Sequence, residues 1–138
     1  MINYWKIATP SLLLFGEGKS AIIPEVIKDF GYSRPYVVID PKVRTTKQGN
    51  DLQLILKEFN TEYFSNFSTN PTTKQVSELV QKLQLFKPDI IIGVGGGSTI
   101  DLSKTANLVY KNGGIIEDYL NGKKPNNHLL PMVFLPTT

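Results

Sequence analysis

The sequence predicts an α/β fold: a Rossmann-like parallel sheet flanked by helices on both faces. Three observations carry that prediction. Short runs of β-branched and apolar residues alternate with stretches whose apolar residues recur at helical spacing. The strand candidates are apolar almost without interruption, as strands covered on both faces must be. Glycine-rich turns close two of them, at residues 16–18 and 95–97. With 138 residues, 41% of them hydrophobic, the chain can bury the core of one domain without disulfides or metal.

The elements follow in order. Ser11-Leu12-Leu13-Leu14-Phe15 reads as a buried strand, turned by Gly16-Glu17-Gly18. Ile23, Val26, Ile27 and Phe30 mark a helix, with Pro24 and Glu25 in its first turn and Gly31 as its left-handed stop. Tyr36-Val37-Val38-Ile39 is the next strand, ending at Asp40-Pro41. Leu52, Ile55, Leu56 and Phe59 form the stripe of a second helix, and Glu62-Tyr63-Phe64 a short strand. After a polar loop over residues 65–71, Val76, Leu79, Val80 and Leu83 give the clearest amphipathic helix, which Pro88-Asp89 ends. Ile90-Ile91-Ile92-Gly93-Val94 is a fully buried strand that runs into Gly95-Gly96-Gly97-Ser98. A helix over about residues 99–110, a looser stretch, and a last strand, Met132-Val133-Phe134-Leu135, complete the pattern before Pro136-Thr137-Thr138.

Composition removes whole classes of function. There is no cysteine, hence no disulfide, thiolate metal site or cysteine nucleophile, and His128 is the only histidine, in a polar stretch that reads as a solvated loop. The net charge of +3 comes from basic residues scattered along the chain, without the patch that nucleic acid requires. No apolar run approaches the roughly 18 to 20 residues that span a bilayer, and residues 1–6 do not read as a secretory leader. The expectation is a cytoplasmic protein that binds neither nucleic acid nor membrane.

In an open parallel sheet, ligands bind beyond the carboxyl ends of the strands. Three glycines there let a ligand approach the backbone, and the following helix presents unpaired N–H groups suited to a phosphate or pyrophosphate. Ser98 and Asp101 also fit the spacing of a helix capping box, and both readings can hold. The loop is not the G-x-G-x-x-G fingerprint, because Ser98 stands where its third glycine belongs. Asp40, at another strand end, is either a turn residue or a carboxylate for the ribose hydroxyls of a nucleotide, one that would repel a 2′-phosphate. Gly18-Lys19-Ser20 resembles the end of a P-loop, but Leu13 occupies the place of its first glycine.

From Gly95 to Lys104, Gly-Gly-Gly-Ser-Thr-Ile-Asp-Leu-Ser-Lys resembles the G-G-G-S-x-x-D-x-x-K signature of the iron-containing (group III) alcohol dehydrogenases. Other landmarks occur in that family's order: Phe15-Gly16-Glu17-Gly18 is similar to its F-G-x-G turn and Asp40 to its post-strand aspartate. Asn70-Pro71-Thr72 is similar to its N-P-T loop, and Pro136-Thr137-Thr138 to the start of its P-T-T-x-G-T motif. Ser98 separates the chain from glycerol dehydrogenases and dehydroquinate synthases, and Asp101 from maleylacetate reductases.

The resemblance implies the N-terminal domain of the dehydroquinate synthase-like fold, with NAD as cofactor. It puts Gly95, Gly96, Gly97 and Ser98 on the pyrophosphate, Asp40 on the adenosine ribose, and Asp101 near the nicotinamide carboxamide. Thr137 and Thr138 would complete the nucleotide cleft, and Asn70 would line the substrate side. It implies a small alcohol or aldehyde as substrate and a divalent metal, iron or zinc, held by a C-terminal helical domain that residues 1–138 lack. The chain is therefore expected to be the cofactor half of a longer, metal-dependent enzyme, with no catalytic residue or metal ligand of its own. A homodimer contact at residues 11–15 is expected by analogy. The competing readings are a dehydroquinate-synthase-like or glycerol-dehydrogenase-like relative, and a non-catalytic nucleotide-binding module.

Overall fold

The computed structural model describes residues 18–137. Four parallel strands, β1 (Pro35–Ile39), β2 (Glu62–Phe64), β3 (Ile90–Gly95) and β4 (Met132–Pro136), pair in the order β2-β1-β3-β4. A 3₁₀ turn, Lys19–Ile22, leads into α1 (Ile23–Asp29); α2 (Pro41–Arg44) and α3 (Lys47–Ile55) join β1 to β2. Helix α4 (Thr73–Phe86) joins β2 to β3, and α5 (Gly97–Asn112) with the short α6 (Ile116–Leu120) joins β3 to β4. The expected strand at residues 11–15, and the dimer contact placed on it, lie outside the described residues.

The sheet is covered on both sides because its side chains alternate. Val37, Ile39, Ile90, Ile92 and Val94 pack with Ile23 and Ile27 of α1 and Leu52 of α3. Tyr36, Val38 and Ile91 face the other way, onto Leu79 and Leu83 of α4 and Leu102 and Ala106 of α5. Each large aliphatic side chain removed from water in this way contributes about 1.5 to 3 kcal/mol. The Asp89 carboxylate aligns the starts of β1 and β3 by accepting the Ser33 and Arg34 N–H groups, both at 2.9 Å.

Four expectations are corrected. Phe30, assigned to the buried stripe of α1, is 58% exposed, because α1 ends at Asp29 and the chain turns away through Gly31. Helix α2 was not expected; Asp40 and Pro41 start it as N-cap and first residue. Helix α6 was not expected either: the exposed apolar residues at its ends, Ile115 just before it and Leu120 at its last position, give no clear stripe. Helix α5 starts at Gly97 and runs to Asn112, longer at both ends than the spacing suggests.

Candidate functional site

The order in which strands are added along the sheet reverses between β1 and β3. The connection from β1 moves outward to β2 across one face, and the chain then returns past β1 to β3 and β4 across the other. The carboxyl ends of β1 and β3 therefore flank the crevice where such sheets bind ligands. Asp40 closes β1, its N–H bonded to the Val94 carbonyl at 2.9 Å, and Thr137 follows β4, its N–H bonded to the Gly95 carbonyl at 2.9 Å. Three site residues, Asp40, Gly95 and Thr137, thus share one hydrogen-bonded edge.

Asp40 is a turn residue that caps a helix, and its carboxylate has one oxygen left over. Its Oδ1 accepts the Lys42 N–H at 2.8 Å and so caps α2. No hydrogen bond to Oδ2 occurs among the described residues, and the side chain is half-buried at the crevice.

The glycines divide the work. Gly93 serves packing: a Cβ there would lie 2.8 Å from the Phe134 ring and 3.1 Å from Ser103 Oγ, so its absence seats α5 and β4 against the sheet. Gly95, at φ 154°, adopts a backbone conformation that side chains rarely allow, and a Cβ on it would collide with Thr99 and come within 3.0 Å of Asp40 Cβ. Among the described residues nothing lies within 4 Å of a Cβ built on Gly97, and above Gly96 only the Thr137 carbonyl oxygen approaches, at 3.7 Å.

Helix α5 begins at that opening without a side-chain cap. The capping-box reading of Ser98 and Asp101 is overturned: Gly96 is the N-cap, Ser98 lies inside the first turn, and its hydroxyl is used elsewhere. By contrast, Thr72 and Gln75 form a full capping box on α4, and Thr46 caps α3. The N-terminal N–H groups of a 16-residue helix, with its partial positive charge, thus have no side-chain cap among the described residues. A pyrophosphate fits the chemistry of such a helix start.

The remaining site residues fall around this opening. Asn70, at φ 57°, donates its backbone N–H to Ser98 Oγ at 3.3 Å, which joins the loop before α4 to the glycine turn. Asp101 is exposed on α5, one turn beyond the opening. Thr138 lies outside the described residues. His128 is exposed in the loop before β4. The site is an open edge; two clefts of about 210 and 290 Å³ lie elsewhere, one between α4 and the end of α5 and one beside Tyr36 and Glu62. The strongest titration shift is also remote, with Tyr36 pushed up to about 12 by burial and, secondarily, by the Glu62 carboxylate.

Sequence reasoning missed Thr99 and Asn107. Both are buried polar residues on the sheet-facing side of α5, hidden in sequence by the apolar residues around them. The Asn107 amide clamps Leu130, accepting its N–H at 3.0 Å and donating to its carbonyl at 2.9 Å, and so fixes the entry to β4. Spacing of four residues from Thr99 through Ser103 to Asn107 was the available signal.

The family model for iron-containing alcohol dehydrogenases matches residues 10–138. The chain belongs to that family. Among iron-containing alcohol dehydrogenases and their relatives, alcohol dehydrogenase 4 of Schizosaccharomyces pombe is 29% identical over 131 residues, covering 94% of this chain and 31% of that protein. The NAD-dependent methanol dehydrogenase of Bacillus methanolicus is 26% identical, covering 94% of this chain and 34% of that protein. The sulfoacetaldehyde reductase of Bifidobacterium kashiwanohense, solved in complex with NAD+, superposes with a TM-score of 0.88 at 26% identity, over 99% of this chain and 36% of that one. The chain thus spans about a third of the length of the curated relatives it matches. Among the described residues no group of three or more His, Cys, Asp or Glu side chains could hold a metal ion. No helix among them is long and apolar enough to cross a membrane.

Proposed function

We propose that residues 1–138 form the NAD-binding domain of a metal-dependent alcohol dehydrogenase, which interconverts a small alcohol and its aldehyde or ketone. The observation that carries this reading is the uncapped start of α5, open above Gly96 and Gly97 and adjacent to Asp40. The relatives support it: one is solved with NAD+ and another is named as NAD-dependent.

In this reading the N–H groups at the start of α5 and the Ser98 hydroxyl hold the pyrophosphate. The free Oδ2 of Asp40 accepts from the adenosine ribose hydroxyls and opposes a 2′-phosphate by charge. Asn70 lines the substrate side, Asp101 lies toward the nicotinamide carboxamide, and Thr137 and Thr138 close the nucleotide cleft. When bound, NAD supplies the hydride chemistry, and these residues bind and orient it. The metal, iron or zinc, belongs to a helical domain outside residues 1–138.

Titration of the chain with NAD and with NADP, followed by ligand-detected NMR, tests the reading. Weak NAD binding and weaker NADP binding are expected. Equal binding of the two removes Asp40 from the ribose. Assays with short-chain alcohols and added iron or zinc should give no NAD reduction by the 138-residue chain, and robust turnover would refute the division of labour between domains.

A further inference from the structure

Thr99 is 1% exposed, and its hydroxyl is the one buried side-chain oxygen or nitrogen among the described residues that lacks a hydrogen-bond partner. An unsatisfied buried hydroxyl is costly enough to need a reason. Within a helix, threonine commonly satisfies itself on the carbonyl four residues earlier. Ser103 does so one turn later, donating to the Thr99 carbonyl at 2.7 Å. For Thr99 that carbonyl belongs to Gly95, which lies outside the helix at φ 154° and already accepts the Thr137 N–H at 2.9 Å.

The position of the orphan is informative. A Cβ built on Gly95 would strike Thr99 Oγ1 and would also come within 3.0 Å of Asp40 Cβ. The missing side chain of Gly95 thus leaves a gap bordered by both the Thr99 hydroxyl and the root of the Asp40 side chain. Asp40 Oδ1 is committed to the Lys42 N–H.

We propose that Thr99 is a positioning residue for the cofactor: with nucleotide bound, its hydroxyl donates across the Gly95 gap to the Asp40 carboxylate and steers the free oxygen onto the ribose. This rests on the ribose reading of Asp40. A hydrogen bond to a charged group suits the role, being stronger than one between neutral partners. The orphan is then a donor held ready, and its cost in the nucleotide-free chain is offset by affinity when the ribose binds.

The test is a double-mutant cycle of Thr99→Val with Asp40→Ala, plus Thr99→Ser, read as the Kd for NAD and for ADP-ribose and as the Tm of the free chain. Thr99→Val keeps the shape and removes the hydroxyl, so its Tm should equal or exceed that of the parent. Its Kd for both ligands should rise about tenfold. Thr99→Ser should bind within about twofold of the parent, and in the Asp40→Ala background Thr99→Val should have no further effect. Unchanged affinity in Thr99→Val, or the same loss with and without Asp40, overturns the inference while leaving the ribose reading intact. Unchanged affinity in Asp40→Ala alone overturns both.

Discussion

The backbone N–H of Asn70 donates to Ser98 Oγ at 3.3 Å, across 28 residues of sequence. This bond ties the loop leaving β2 to the first turn of α5, so the proposed substrate side and the proposed phosphate side of the crevice share a joint. It also explains why Ser98 does not cap its helix: its oxygen faces the neighbouring loop. Ser98→Ala should free the Asn70 amide to exchange with solvent several-fold faster and weaken NAD binding about threefold to tenfold. Unchanged exchange at Asn70 would show that the bond carries no load.

Asp40 combines a cap with a charge, and the two can be separated. Asparagine caps a helix as well as aspartate does, so Asp40→Asn should leave Tm within about 2 °C of the parent. Loss of the charge should weaken NAD binding and improve NADP binding, which narrows the preference between them. Isothermal titration with both cofactors measures this, and an unaltered ratio argues against the ribose role.

Gly95 and Gly97 should respond in opposite ways. A Cβ on Gly95 meets Thr99 and Asp40, so Gly95→Ala should cost about 2 kcal/mol or more of stability in denaturant titration. A Cβ on Gly97 meets nothing and replaces glycine in a helix, so Gly97→Ala should raise stability by about 0.5 to 1 kcal/mol. With the pyrophosphate seated at the start of α5 as proposed, the added methyl group should lower NAD affinity even as stability rises.

Tyr36 gives a pH dependence of defined sign. Burial, aided by the Glu62 carboxylate opposite it, raises its pKa from 10.0 to about 12 in the folded chain. The unfolded chain therefore loses this proton first. The contribution is fully present below pH 10 and is lost as pH rises toward 12, amounting to at most about 3 kcal/mol. Burial shifts Tyr63 in the same direction. Tyr36→Phe keeps the edge-on contact with Phe86 and should flatten the alkaline fall in Tm; an equally steep fall would assign it to other groups.

Much of the fold was legible because its signals are local. The continuous apolar runs of β1 and β3 and the stripe of α4 each follow from burial on known faces, and all are found where the residues put them. Helices α2 and α6 were not legible: each is only four or five residues long, too short for a periodic signal.

The family, the alternation of strands and helices, and the nearness of the glycine turn to Asp40 at the strand ends were all legible in the residues. Tertiary structure alone decided how the glycines divide their work, which hydroxyl Asn70 engages, and that Thr99 is buried without a partner. Those facts depend on distances between residues far apart in the chain, set only when α5 packs across β3 beside the end of β1.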